Sequence, residues 1–407
     1  MLALRRWATD RRSRARDVRI FLSIGLVVMA LAMIDGCARV RPNPDDLARL
    51  QPALAALLLV GFNGVDVDGN RELERLLCEA RVGGVLIFAR NIVDPAQLRR
   101  LTRGIGDRAL ACAGRRPLIA VDGEGGRIMR LSPRVGFPPT LSHRELGEDN
   151  DFAETELEAR RIGGILRDVG IDWNLAPVVD VGYNPANPVI VGHGRSFGAN
   201  PRLVAAHARA YVTGMRAAGI RTTLKHFPGH GSSATDSHLG FVDVSDTANA
   251  EIELLPYRAL IAEGLADSIM TAHVFNRRLD RRYPATLSRA TITGLLRETL
   301  GFGGPVVSDD LRMGAIDQHY GLGDAAVLAA RAGVDVLLVA EDALPDGRSA
   351  TAVVIEALRE ALADGRVTIT RIDEALARMR QFSVTRGAAA RPPLGSAANP
   401  GRRAGYS

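Results

Sequence analysis

The chain has 407 residues, 46% hydrophobic and 24% charged, with 42 glycines. That composition belongs to a globular protein with ample core and excludes a fibrous or fully disordered chain. The net charge of +6 sits at the ends: residues 1–19 hold seven arginines against Asp10 and Asp17, and residues 386–407 hold four arginines and no acid, which leaves the body at about −3. A nucleic-acid footprint belongs on the fold itself, so the basic balance argues against such a partner.

The arginine-rich start runs into 15 uncharged residues, 20–34 (IFLSIGLVVMALAMI), followed by DGC. A basic region before a short apolar run is an export pattern. As a helix the run spans about 22 Å, short for a full crossing. Cys37, after Gly36, resembles a bacterial lipoprotein processing site. Residues 1–45 are therefore expected to be a signal, lipoprotein or membrane-anchor segment with its linker, placing the protein in the periplasm or tethered to a membrane. Cys78 and Cys112 are the remaining cysteines, and no disulfide framework is expected.

From about residue 52, short apolar runs alternate with longer amphipathic stretches. The runs are ALLLVGF (56–62), VGGVLIFARN (82–91), PLIAVDGEGG (117–126), IDWNLAPVVDV (171–181), RTTLKHFPGHG (221–231), DSIMTAHVFN (267–276), PVVSDDL (305–311) and VDVLLVAED (334–342). Their richness in Val, Ile and Leu, bounded by Gly, Pro or Asp, predicts strands buried on both faces. Between them, DPAQLRRLTRGIGDRAL and NPRLVAAHARAYVTGMRAAG read as helices, the latter closed by a glycine. Eight such units predict an α/β fold, a (β/α)8 TIM barrel over residues 46–385, rather than a doubly wound sheet. No glycine-rich dinucleotide or phosphate fingerprint follows the first strand. Residues 386–407 read as a disordered basic tail.

Asp122, Glu124, Asp180, Lys225, His226, His273, Asp309 and Asp310 all fall at or just past the C-terminal ends of these strands. That is the face on which barrel enzymes build their sites. Lys225 is the only lysine in the chain; every other basic residue counted with it is arginine.

His226, His230, His238 and Asp236 have the atom types of a zinc site. Proline and glycine between His226 and His230, however, break the helix that an i, i+4 ligand pair needs, and no metal or cofactor is expected. Asp236 and His238 lie two apart in an extended loop, so their side chains point the same way and the carboxylate can orient the imidazole. SDDL offers a carboxylate nucleophile, and a carboxylate facing a proton donor is the minimal apparatus for cleaving a glycosidic bond. The plainer alternatives are Asp236 as a helix cap and SDD as an N-cap before LRMGAI. Spacing does not separate Asp309 from Asp310.

The combination of VDGEGGRIMR (121–130), GRSFG (194–198), KHFPGHGSSATDSH (225–238) and SDDLRM (308–313) resembles glycoside hydrolase family 3, in particular its single-domain β-N-acetylglucosaminidase branch. The resemblance covers roughly residues 52–385. It implies a TIM barrel and retaining hydrolysis through a glycosyl-enzyme intermediate on Asp309. It implies His238, paired with Asp236, as general acid/base, and Asp122, Arg130, Arg195, Lys225 and His226 as sugar-binding residues. Gly123 stands where the family usually has glutamine. The implied substrate is a small saccharide with terminal β-linked GlcNAc, from cell-wall muropeptides or chitin-type fragments, acted on by a monomer. A β-glucosidase, a GlcNAc phosphorylase or a silent sugar-binding lipoprotein are the rival expectations.

Overall fold

The computed structural model describes residues 44–384 apart from His238. The expectations for residues 1–43, including Cys37, and for the tail from residue 385 lie outside the described residues. No helix among the described residues is long and apolar enough to cross a membrane.

Each of the eight apolar runs contains a strand: β1 Leu58–Gly61, β2 Gly84–Ile87, β3 Leu118–Val121, β4 Trp173–Asn174, β5 Thr223–Phe227, β6 Ser268–Thr271, β7 Val306–Val307 and β8 Leu337–Val339. All of their pairings are parallel. One sheet has the order β8-β1-β2-β3-β4 and another the order β7-β6-β5. Single parallel bridges join their margins, Trp173 to Arg221 and Val178 to Lys225 on one side, Val307 to Val336 on the other. The molecule is thus an α/β fold with parallel strands, as expected.

Alternation along the strands divides the core. Leu58, Val60, Val85, Ile87, Ile119, Val121, Ile269, Val306 and Val339 pack with the helices. Leu59, Leu86, Ala120, Trp173, Met270, Val307 and Leu338 form a second cluster with one another, joined by Phe382. Side chains of a strand alternate between faces, so β1, β2, β3, β6, β7 and β8 each feed both clusters. The Trp173 indole N–H donates to Thr223 Oγ1 at 2.7 Å, which satisfies its one donor inside that second cluster.

The two helices read from the sequence start where it places them. Helix α1 is Pro44–Ala55, and α2, Pro95–Ala113, is capped by Asp94, which accepts from the N–H groups of Ala96 and Gln97 at 2.8 Å. Proline at the first helical position costs no hydrogen bond. Helices α3 (Phe152–Asp168) and α4 (Pro201–Ala217) follow; Asn200 caps α4, and Gly219, at φ +79°, turns the chain out of it. Helices α5 (Leu255–Ala262), α6 (Leu322–Ala332), α7 (Ala350–Ala363) and α8 (Ile369–Val384) complete the series.

Three aspartates just before alternate strands bind the neighbouring strand. The carboxylates of Asp172, Asp267 and Asp335 accept the backbone N–H of Ile119, Thr222 and Val306 at 3.1, 3.0 and 2.9 Å. Asp335 also receives Arg297, Arg371 and Arg378, which fastens α8 across the N-terminal strand ends.

The cysteines depart from expectation. Cys78 and Cys112 are disulfide-bonded, linking the π-helical turn Arg75–Ala80 to α2. Nothing local in the sequence marks the pair; the docking of the two helical segments brings their Cα atoms to 5.3 Å.

Candidate active site

The polar residues at the C-terminal strand ends converge on one ion-paired cluster. Lys225, inside β5, is 3% exposed, and its Nζ lies 3.0 Å from Asp122 Oδ1 and 2.7 Å from Glu124 Oε1. Glu124 also accepts a bidentate pair from Arg195, Nε to Oε2 at 2.8 Å and a terminal nitrogen to Oε1 at 2.7 Å. Arg130 reaches Asp122 Oδ2 at 3.1 Å. Asp122 (16% exposed) and Arg130 (31%) form the outward edge of the cluster, while Glu124 and Lys225 lie beneath.

His226 continues the network. Its Nδ1 is 2.7 Å from Asp180 Oδ2 and its Nε2 is 3.3 Å from an Arg195 nitrogen. A carboxylate only accepts and a guanidinium only donates, so the proton sits on Nδ1. The Lys225–His226 and Phe227–Pro228 peptides are cis, and the β5–β6 register shifts between Leu224 and Phe227.

Burial by itself would raise the Glu124 carboxyl, but Arg195 and Lys225 overcome it and hold the group well below the usual carboxylate range. The same contest lowers Asp122, where burial is outweighed by Lys225 and Arg130, and Asp180, where it is outweighed by His226. Burial would lower Lys225, yet its two carboxylates raise it. Asp122, Glu124, Asp180 and Lys225 are thus held in their charged forms. A buried, charged and fully paired set is a rigid array of donors and acceptors.

The SDD segment after β7 resolves two adjacent carboxyls into different environments. Asp310 Oδ1 accepts from the N–H groups of Arg312 (3.2 Å) and Ala340 (3.0 Å). Burial pushes its carboxyl up to about 6. Its carbonyl meets His273 Nε2 at 2.8 Å. Asp309, half-buried, takes the Asp310 N–H on Oδ1 at 2.8 Å. The helix that follows, Gly314–Tyr320, has Met313 at its cap position, so the SDD carboxylates do not serve as its N-cap.

The loop after β5 carries Asp236, half-buried, and His238, which lies outside the described residues. Asp236 caps no helix; the next one, Ala250–Glu253, is capped by Asn249. His226 and His230 have all four ring nitrogens within hydrogen-bond distance of protein groups, which leaves neither imidazole an open position for a metal.

The structure therefore brings Asp122, Arg130, Arg195, Lys225 and His226 together, and it places Asp309 and Asp236 on neighbouring loops: the Ala315 N–H donates to the carbonyl of Ser237 at 3.2 Å. Sequence reasoning placed Glu124 and Asp180 at strand ends without a role, although they are the hubs of the network. It missed Glu253, whose carboxyl accepts from the Tyr183 hydroxyl (2.9 Å) and the Ser232 N–H (3.3 Å). Burial raises that carboxyl to about 7. Gly123, the departure from the family pattern, docks by its backbone on Asn174, at 2.9 Å in both directions. A Cβ there would stand 3.0 Å from the Asn174 side-chain oxygen.

The family profile described as "Glycosyl hydrolase family 3 N terminal domain" matches residues 51–382. The chain belongs to glycosyl hydrolase family 3. Among its relatives in this family, the β-hexosaminidase of Methylococcus capsulatus is 39% identical over 69% of this chain and 81% of its own length. β-Hexosaminidase LpqI of Mycobacterium tuberculosis is 35% identical over 80% of each. The family 3 β-N-acetylglucosaminidase of Paenibacillus sp. FPU-7 is similar in structure, with a TM-score of 0.78 at 36% identity over 86% of this chain and 65% of that one. This family 3 glycoside hydrolase spans 47% of the length of β-hexosaminidase A from Pseudoalteromonas piscicida, to which it is 37% identical.

Proposed function

We propose that this protein is a retaining β-N-acetylhexosaminidase built on a closed (β/α)8 barrel. It removes terminal β-linked GlcNAc from small cell-wall (muropeptide) or chitin-type saccharides. The cluster of Asp122, Glu124, Arg130, Arg195, Lys225 and His226 carries the reading: fixed charges at the strand ends suit the hydroxyl and N-acetyl groups of one sugar ring. Relatives named β-hexosaminidase support the same substrate class.

In this mechanism Asp309 attacks the anomeric carbon while His238, oriented by Asp236, protonates the departing oxygen. His238 then takes a proton from the water that releases the sugar from Asp309. The contrast between the two aspartates favours this assignment. Asp310 is occupied by two backbone amides and raised toward its neutral form, which makes it the poorer nucleophile.

The reading includes export with a membrane tether at the N-terminal segment, and a monomer. The Cys78–Cys112 disulfide supports export, because such bonds persist in oxidising compartments.

The test compares aryl β-GlcNAc and aryl β-glucoside as substrates for wild type and Asp309→Ala. Wild type should turn over the first far faster, and Asp309→Ala should lose at least about 1000-fold on it. Preference for the glucoside overturns the substrate, and near-normal turnover by the variant overturns the nucleophile.

A further inference from the structure

Residues 225–238 carry Lys225 and His226 of the sugar-binding cluster and the proton-transfer residues on one short stretch of chain, and His230 is a buried member of it with no chemistry of its own. It is 3% exposed. Its backbone N–H donates to Asp180 Oδ1 at 2.7 Å, the carboxylate whose other oxygen takes the proton of His226 Nδ1. Its ring Nδ1 lies 2.7 Å from Ser233 Oγ and its Nε2 3.1 Å from Ser237 Oγ.

The donor directions follow from the available protons. The Ser233 hydroxyl gives its own proton to the carbonyl of His230 at 3.0 Å, so it accepts the Nδ1 proton. That leaves Nε2 as an acceptor, and the Ser237 hydroxyl donates to it. Burial pushes His230 down to about 4, so the ring stays neutral and keeps this split at neutral pH.

Ser237 is the residue between Asp236 and His238, and it is 2% exposed. The first half of the loop is fastened independently: Asn187 Nδ2 donates to the carbonyl of His230 at 2.8 Å, and Asn184 Nδ2 to that of Ser233 at 3.0 Å. Gly231 is pressed so closely on Val181 that a Cβ would stand 1.9 Å from its carbonyl oxygen. Past Ser233 the chain is exposed at Ala234 and Thr235, and it returns to the interior at Ser237. The His230–Ser237 contact is a side-chain tie at that return.

We propose that His230 is a positioning residue for proton transfer: through Ser237 it sets the segment carrying Asp236 and His238 against the sugar-binding cluster. The proposal rests on the acid/base assignment above and extends it to a residue that touches neither substrate nor proton. A continuous path of contacts runs from Glu124 through Arg195, His226 and Asp180 to His230 and Ser237. A sugar held at one end thus meets a loop whose position is set from the other.

The experiment measures kcat/KM on phenyl and dinitrophenyl β-GlcNAc for wild type, His238→Ala, Ser237→Ala, His230→Asn and His230→Gln. The phenyl substrate needs protonation of its leaving group and the dinitrophenyl one hardly does, so the ratio of the two losses reads the acid step. Asparagine's amide reaches the Nδ1 position and preserves the Ser233 contact, whereas glutamine's reaches the Nε2 position, where its carbonyl oxygen accepts from the Ser237 hydroxyl. His238→Ala should change the ratio by about 100-fold, Ser237→Ala and His230→Asn by about 10-fold, and His230→Gln by under about 3-fold. Ser237→Ala deletes one hydroxyl and stays informative should a His230 variant fail to fold. An unchanged ratio in Ser237→Ala, or equal ratios in the two His230 variants, overturns the positioning role while His238→Ala still discriminates. A ratio unmoved by His238→Ala overturns the acid assignment itself, and the positioning role with it.

Discussion

Lys225 is a point charge shared between two carboxylates, at 3.0 Å from Asp122 and 2.7 Å from Glu124, in a site where Glu124 already holds one bidentate guanidinium. A second guanidinium has no carboxylate edge left to match its fork, and its bulk exceeds that of an ammonium. That gives a physical reason for one lysine in a chain otherwise furnished with arginine. Lys225→Arg should therefore lower kcat/KM on aryl β-GlcNAc by about 100-fold or more, although the charge is unchanged. Near-normal activity would mean that charge alone matters at this position. The residue scale is also where the sequence proved ambiguous: Asp309 and Asp310 are adjacent, and burial together with the amides of Arg312 and Ala340 sets Asp310 apart.

At the scale of elements, the strand-end aspartates do unequal work. Asp335 is fully buried and joins β7, the π-helical stretch Ala290–Thr299 and α8 through one backbone N–H and three arginines. Removing it leaves Arg297 partly buried without its anion and leaves Arg371 and Arg378 with the half-exposed Glu374 alone, so Asp335→Ala should cost about 3–5 kcal/mol in a denaturant melt. Glu74, exposed and paired with Arg108, is the contrasting case, and Glu74→Gln should leave the melt close to that of wild type. Equal losses in the two variants would contradict the role given to burial. The helices themselves were legible from their first residues, because Asp94–Pro95 and Asn200–Pro201 are local signals that need no tertiary partner.

Over the whole molecule, buried titratable groups pull the pH dependence of stability in opposite directions. His143 and His230, lowered by burial to about 3 and about 4 from 6.5, stay neutral in the fold while the unfolded chain takes up protons. Stability therefore falls by about 1.4 kcal/mol per pH unit for each as pH drops below 6.5, until the folded pKa is reached. Glu253 acts in reverse: raised to about 7 from 4.5, it keeps a proton that the unfolded chain releases. Its contribution is fully present below 4.5 and is lost as pH rises through 7. Asp310, raised to about 6, has the same sign. Between about pH 6 and 4.5 these terms oppose one another. Below that, the lowered carboxyls of Asp122, Glu124 and Asp180 add to the loss, which predicts a steep acid limb. Glu253→Gln removes one opposing term. Relative to wild type it should gain up to about 3 kcal/mol at pH 8, and the gain should shrink as pH falls toward 4.5. A Tm difference that stays constant across that range would refute the burial-driven shift.

The sequence by itself determined the eight strands, the starts of α2 and α4, and the face on which ionisable residues gather. Each is written in the chemistry of neighbouring residues: apolar alternation, caps and turns. Tertiary structure alone decided the pairings. Glu124 meets Arg195 from 71 residues away, Asp122 meets Lys225 from 103, and Asp310 meets the Ala340 amide from 30. Cys78 finds Cys112 across 34 residues, and Glu253 acquires its raised pKa from a burial that no local pattern announces. The two ends of residues 225–238, to which the resemblance gives sugar binding and proton transfer, are linked in the fold through His230 and Ser237. Secondary structure follows from short-range sterics and hydrogen bonding, whereas charge pairing and desolvation depend on which distant segments are brought within a few ångströms.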